Sequence, residues 1–339
     1  MSLPTDQMLP ADDVFDAAFS WQGAGKPVAL ATVVSTWGSS PRPPGSHLGV
    51  SADGEMTGSV SGGCIEGAVV KEALDILKGA PAQVLDFGVT DQQAWDVGLA
   101  CGGAVKVLVR DFAPLIPLYE QARAGLATGQ SSALVTRLDS GETMPLGADG
   151  LPEPVAEAAR AALKHDRSRA YSGDDGDWFI EVVAPPRRLI VVGAVHIAQA
   201  LVPMAAMAGF QVTVVDPRRA YASDARFPGV DVRTDWPDEA LDDLKPDSRT
   251  AIVTLTHDPK LDDPALDRAL RSSAFYVGSL GSSRTQAKRV ERLTEVGFDE
   301  ASIQRIHGPI GLRIGAQSPA EIAVSILAEI IARMRGATG

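Results

Sequence analysis

The stretch Arg188-Leu-Ile-Val-Val-Gly-Ala-Val-His-Ile-Ala198 passes from an unbroken apolar segment through one glycine into a helical pattern. Such a segment, β-branched and bounded by glycine, reads as a buried strand. The helical pattern continues to about position 208 and stops at Gly209. Gln211-Val-Thr-Val-Val-Asp216 then supplies a second strand with an acidic residue at its end. Strand, glycine turn, helix, strand and an acid about 20 positions on make a Rossmann unit. Residues 250–256 and 274–278 add further buried strands, so this part of the chain is α/β with a parallel sheet. Ser318-Pro-Ala-Glu321 is a capping box with proline at the first helical position, opening an apolar-faced helix over 320–334.

Open α/β sheets bind ligands where their strands end. The candidate binding residues here are therefore Gly193, His196, Asp216, His257, Asp258, Gly281, Ser282 and Arg284. Asp216 has the position of a ribose ligand, and Gly281 to Arg284 opens a helix whose free amides favour phosphate. Each has a plainer reading as strand-end or turn chemistry. The glycine fingerprint is also altered: it reads Gly193-x-Val195-x-x-Ala198. A β-branched valine stands where a glycine normally lets the pyrophosphate approach the backbone, which argues against ordinary NAD(P) binding while leaving the fold intact.

The preceding half is organised around Thr57-Gly-Ser-Val-Ser-Gly-Gly-Cys-Ile-Glu-Gly-Ala-Val-Val-Lys71. Apolar residues at Ile65, Ala68, Val69, Ala73, Ile76 and Leu77 lie on one helical face. Cys64 is expected in the first helical turn, where unpaired amides and the helix dipole favour a thiolate. Ser61, Gly62 and Gly63 would offer backbone amides to an anion. Upstream, residues 27–35 read as a strand, and 47–50 and 55–60 as a hairpin turning at Ala52-Asp53-Gly54. Arg42, in a Gly/Pro/Ser-rich loop, could hold an anion bidentately or simply be solvated. Further on, Cys101-Gly102-Gly103 mirrors Gly62-Gly63-Cys64 just before a strand over 104–111. Two such cysteines in a cysteine-poor chain point to one cleft, as a soft metal contact or a sulfur-transfer pair. The region 115–184 is less informative: helical near Tyr119, hairpin-like over 132–145, helical over 155–164 and extended over 178–183. Pro185-Pro186 marks the boundary, giving an N-terminal domain over 1–184 and a C-terminal domain over 185–339.

Several blocks resemble the XdhC/CoxI family of maturation factors for molybdenum hydroxylases. They are Ser39-Ser-Pro-Arg-Pro-Pro-Gly45, Gly58-Ser-Val-Ser-Gly-Gly-Cys64 and Leu99-Ala-Cys-Gly-Gly103. The C-terminal half adds Thr256-His-Asp258, Tyr276-Val-Gly-Ser-Leu-Gly-Ser282, Gly308-Pro-Ile-Gly-Leu312 and Pro319-Ala-Glu-Ile-Ala-Val-Ser-Ile-Leu-Ala-Glu329. The resemblance implies a mixed α/β N-terminal domain followed by a Rossmann-like domain. It implies a chaperone that binds and protects the molybdenum cofactor (molybdopterin), supports its sulfuration and inserts it into an apo hydroxylase. The client would be a xanthine dehydrogenase, an aldehyde oxidoreductase or a carbon monoxide dehydrogenase, and a cysteine desulfurase would donate sulfur. Cys64 and Cys101 would then touch molybdenum or carry sulfur. An accessory role is expected rather than small-molecule turnover. A homodimer is expected too, to cover a large cofactor.

Composition sets the outer bounds. The 339-residue chain carries a net charge of −12, which argues against nucleic acid or an anionic membrane as the main partner. Its N-terminal residues show neither a basic segment nor a long apolar run, so no signal peptide or membrane span is expected. Two widely spaced cysteines build no disulfide framework or zinc site, and the expected setting is cytoplasmic. Two other functions remain open from sequence: an NAD(P)-dependent oxidoreductase resting on Asp216 and His257, and a nucleotide-sensing scaffold.

Overall fold

The computed structural model describes residues 14–38, 42–88 and 103–337. The chain divides into two compact units at Pro185–Pro186.

The unit before the division is built on two antiparallel sheets. Helix α1 (Val14–Gly23) precedes strand β1 (Val28–Trp37), which pairs with β2 (His47–Ser51); β3 (Met56–Gly58) completes the hairpin. Helix α2 (Glu66–Ile76), β4 (Gln83–Phe87) and β5 (Ala104–Asp111) follow, giving the order β3-β2-β1-β5-β4. Strand β1 is buried on both faces because its side chains alternate between two covers. Ala29, Ala31 and Val33 pack with Val69, Ala73 and Ile76 of α2. Val28 and Leu30 pack with Val14 and Ala18 of α1, and with Tyr119 of α3 (Ile116–Ala127).

The second sheet has the order β7-β6-β9-β8, from β6 (Ser132–Arg137), β7 (Thr143–Pro145), β8 (Arg169–Gly173) and β9 (Gly176–Val183). Helix α4 (Glu153–His165) lays Val155, Ala159 and Ala162 onto Ala133, Val135, Trp178 and Ile180. The hairpin expected over 132–145 is present, but β8 carries polar residues on a half-exposed edge and gives no hydrophobic period to read. A buried polar cluster joins the elements of this unit. Glu181 of β9 accepts from the Tyr119 hydroxyl at 2.7 Å and meets His47 Nε2 of β2 at 2.9 Å.

The unit after the division is a six-stranded parallel sheet. Its elements are β10 (Arg187–Val192), α5 (His196–Met207), β11 (Phe210–Val215), β12 (Asp231–Arg233), α6 (Pro237–Leu244), β13 (Thr250–Thr254), α7 (Pro259–Arg271), β14 (Tyr276–Ser279), α8 (Ser283–Glu295), α9 (Glu300–Ile303), β15 (Ile306–His307) and α10 (Pro319–Arg335). The order β12-β11-β10-β13-β14-β15 is that of a doubly wound dinucleotide-type sheet, reversing direction of growth between β10 and β13. Successive residues of β10 serve opposite cores. Leu189 and Val191 face α5 and α10. Ile190 and Val192 lie in the core formed with α6, α7 and α8. The capping box at Ser318 and Glu321 is formed as its sequence predicts.

Two glycines separate conformational strain from steric exclusion. A Cβ added at Gly54 (φ +82°) would meet only open space, whereas at Gly58 (φ +81°) it would lie 2.4 Å from both His47 O and Val14 Cγ2. Gly54→Ala should cost about 1–2 kcal/mol through φ alone. Gly58→Ala should cost a further 2 kcal/mol or so through the clash with backbone, read as the difference between the two denaturant midpoints.

Candidate functional site

The Ser-Gly-Gly-Cys turn is closed by a carboxylate from its own helix. Glu66, the first residue of α2, turns its side chain back over residues 59–63. Its Oε1 accepts from Ser59 Oγ (2.7 Å), Ser61 N (2.9 Å) and Val60 N (3.3 Å). Its Oε2 accepts from Ser61 Oγ (2.5 Å) and Gly63 N (3.0 Å). The remaining amides go to serine hydroxyls: Gly62 N to Ser59 Oγ (2.8 Å), and Cys64 N and Ile65 N to Ser61 Oγ (3.0 and 3.1 Å). Arg42 braces the same turn, its Nε donating to Ser59 O at 3.1 Å.

Two expectations are corrected here. Helix α2 begins at Glu66 with Ile65 as N-cap, so Cys64 precedes the helix instead of lying in its first turn. The amides of Gly62 and Gly63 are already engaged within the chain, so they do not stand open for an anion. The sequence signal for this was a glutamate at the helix start behind two serines, a carboxylate variant of the capping logic. Cys64 itself is exposed, on a turn whose backbone is pinned on every side. Gly103 is buried immediately before β5. Cys101 and Gly102 lie outside the described residues, and so does any pairing of Cys101 with Cys64.

Burial would raise the Glu66 carboxyl, but hydrogen bonds from Ser61 and Ser59 outweigh it and hold its pKa at about 2, below the ordinary 4.5. A depressed folded value means that the carboxylate stabilises the fold above pH 4.5 and loses that contribution as pH falls toward 2. Glu66→Gln should therefore be less stable by about 1–2 kcal/mol near neutrality, the range for a half-exposed charged hydrogen bond. The gap should close below pH 4.5 in a pH series of melting temperatures.

In the parallel unit, the dinucleotide-type loop after β10 is engaged in the same manner. Asp216 is fully buried. It accepts from Ala194 N (2.8 Å), from Arg218 N (3.0 Å) and from the Arg218 guanidinium (2.8 and 2.7 Å). Burial would raise this carboxyl; its bonds to Arg218 and Ala194 lower it on balance. The expected ribose ligand is thus committed to its own loop. Gly193 (φ +107°) leaves no cradle either, since a Cβ there would lie 2.5 Å from Thr256 Cγ2. The space that its missing side chain creates is filled by the adjacent loop. Val195 is the N-cap of α5 and offers no side-chain cap; His196 follows, exposed, as the first helical residue.

At the ends of β13 and β14 the structure gathers other candidates. His257 is exposed at φ +65°, and Asp258 N-caps α7 by accepting from Lys260 N (3.0 Å). Gly281 brings the chain from β14 to α8, whose N-cap Ser282 accepts from Thr285 N (3.2 Å). Arg284 and His257 line one cavity of about 240 Å³ together with Pro259, Asp262, Thr285, Lys288, Arg289 and Arg292. The sequence signal for Lys288 and Arg292 is that they follow Arg284 at successive four-residue intervals, which an ordinary solvated helix face also shows. Among the described residues, no group of three or more His, Cys, Asp or Glu could hold a metal ion. No described helix is long and apolar enough to cross a membrane.

The chain is thus a two-part protein, an antiparallel unit presenting an exposed cysteine on a carboxylate-pinned turn followed by a doubly wound domain with a closed nucleotide loop. Two family models agree: one described as the XdhC Rossmann domain matches residues 189–330, and one described as the XdhC and CoxI family matches 21–88. The chain belongs to the XdhC and CoxI family. It is 28% identical over 308 residues to a protein of Escherichia coli (strain K12) named Molybdenum cofactor insertion chaperone PaoD, spanning 91% of this chain and 83% of that one. It is 29% identical over 309 residues to a Bacillus subtilis (strain 168) protein named as a probable xanthine dehydrogenase subunit, spanning 89% and 92%. A crystal structure from Bacillus halodurans, titled as a xanthine dehydrogenase, has the same fold: TM-score 0.75 at 24% identity, covering 95% of this chain and 96% of the other.

Proposed function

We propose that the protein is a molybdenum-cofactor chaperone that inserts the finished cofactor into an apo hydroxylase of the xanthine dehydrogenase type. The observation that carries this reading is the likeness, over 91% of the chain, to a relative named for that activity. The cofactor is cargo, bound and released, not a resident group.

The geometry supports a handling role for Cys64. Its thiol is exposed, it stands on a turn whose amides are all bonded, and soft thiolates suit a soft metal. We assign Cys64 contact with the molybdenum or carriage of sulfur during sulfuration, with a cysteine desulfurase as the donor. The remaining parts of the reading are a cytoplasmic setting, a homodimer and a client among xanthine dehydrogenase, aldehyde oxidoreductase and carbon monoxide dehydrogenase types. The closed loop at Asp216 and Gly193 weighs against an NAD(P)-dependent oxidoreductase.

Anaerobic titration with molybdenum cofactor, with NAD(H) and NADP(H) in parallel, tests the reading. Stoichiometric binding of the cofactor alone is expected. Cys64→Ser should cut activation of an apo hydroxylase several-fold without moving the melting temperature, because an exposed thiol contributes little to packing. Normal activation by that variant would remove Cys64 from the mechanism.

A further inference from the structure

We propose that the cavity bounded by His257, Arg284, Lys288 and Arg289 binds the dianion of a phosphate monoester. Three observations carry this. First, Arg284, Lys288 and Arg292 follow one another at four-residue spacing along α8, with Arg289 beside them, and all four line the cavity. Like charges at that spacing repel weakly, so an anion between them stabilises the arrangement.

Second, the acids present do not answer all of it. Arg292 is neutralised by Asp263, at 2.5 and 2.9 Å. Asp262 is bonded to Thr256 Oγ1 at 2.6 Å and stands 3.8 Å from Arg289. The side chains of Arg284 and Lys288 have neither an ion pair nor a hydrogen bond among the described residues, and both are exposed. Two cations of the cavity lining are left over.

Third, the wall of the cavity holds a buried guanidinium with an unused donor. Arg289 is 1% exposed. Its Nη groups reach Gln286 Oε1 (2.5 Å) and Leu280 O (2.9 Å), while its Nε–H has no acceptor. A charge so far from water is costly unless it is compensated, and Asp262 at 3.8 Å, helped by the charge of Asp263 that is itself bonded to Arg292, does this incompletely. Burial accordingly pushes the Arg289 guanidinium below its ordinary range. The first amides of α8 add their dipole at the same place, with only Thr285 N taken by the cap.

Size and charge select the ligand. At about 240 Å³ the cavity is smaller than the roughly 300–1,000 Å³ that enclose a whole small molecule, so it takes one end of a ligand. Arginine and lysine converging beside a helix N-terminus suit a doubly charged tetrahedral group better than a singly charged carboxylate. The site does not depend on the chaperone reading, which supplies only one of two sources. The phosphate of the pterin cargo and that of a nucleotide offer the same chemistry.

Isothermal titration of the full chain with inorganic phosphate at low ionic strength tests the site. Saturable binding at one site per chain is expected, weakened roughly tenfold or more in Arg284→Gln/Lys288→Gln. That variant should keep the wild-type melting temperature, because both side chains are exposed. No saturable binding in wild type, or equal affinity in the variant, overturns the proposal. Competition then identifies the source. Displacement of phosphate by molybdopterin and not by adenosine monophosphate supports a cargo site; the reverse supports a nucleotide site and leaves the cargo to be bound elsewhere. Displacement by neither overturns the assignment to a monoester.

Discussion

A carboxylate taken out of water must collect donors, and four of them tie this fold together. Glu66 gathers the turn over 59–63, and Asp216 joins the ends of β10 and β11. Glu181 joins β9 to β2 and α3. Glu329 of α10 accepts from the Tyr276 hydroxyl (2.5 Å) and Gly311 N (2.8 Å) and meets His307 Nδ1 (3.0 Å). For each, burial works to raise the carboxyl and the assembled donors outweigh it, so each is held below its ordinary range. Removing one partner from such a cluster leaves the others unanswered, and at Asp216, Glu181 and Glu329 those partners come from segments far apart in sequence.

The same demand explains why two turns expected to hold anions are closed. Glycine-rich turns and strand-end acids look alike whether they await a ligand or satisfy one another. At Glu66 and Asp216 they satisfy one another, because in each case a carboxylate lies within reach of the amides. Around Arg284 and Lys288 the balance is reversed, and the leftover charge is cationic. The proposed anion site thus lies where the chain has not supplied its own anion.

The doubly wound sheet was legible because buried parallel strands print continuous apolar runs: Leu189 to Val192 and Ala251 to Val253 admit few other readings. The capping box at Ser318 was legible for a similar reason, since its partners are three residues apart. Strand β8 was not, being polar on an exposed edge, and neither was the four-stranded sheet to which it belongs. The start of α2 is misplaced by sequence because Ile65 continues the apolar period of the helix while its backbone serves as the cap. Among site residues, glycines, cysteines and strand-end acids announce themselves by type. Arg289 does not: only tertiary packing distinguishes a buried arginine from its solvated neighbours on α8.

Helix α10 supplies Ala323, Ile326 and Ile330 to the core that Leu189 and Val191 of β10 begin more than a hundred residues earlier. All six parallel strands precede it in the chain, so during synthesis the sheet can assemble with that face only partly roofed by α5. A nascent chain stalled before residue 319 would expose a contiguous apolar surface to chaperones and to other copies of itself. Closure of that apolar face during synthesis therefore waits on a helix that follows every strand of the sheet it covers.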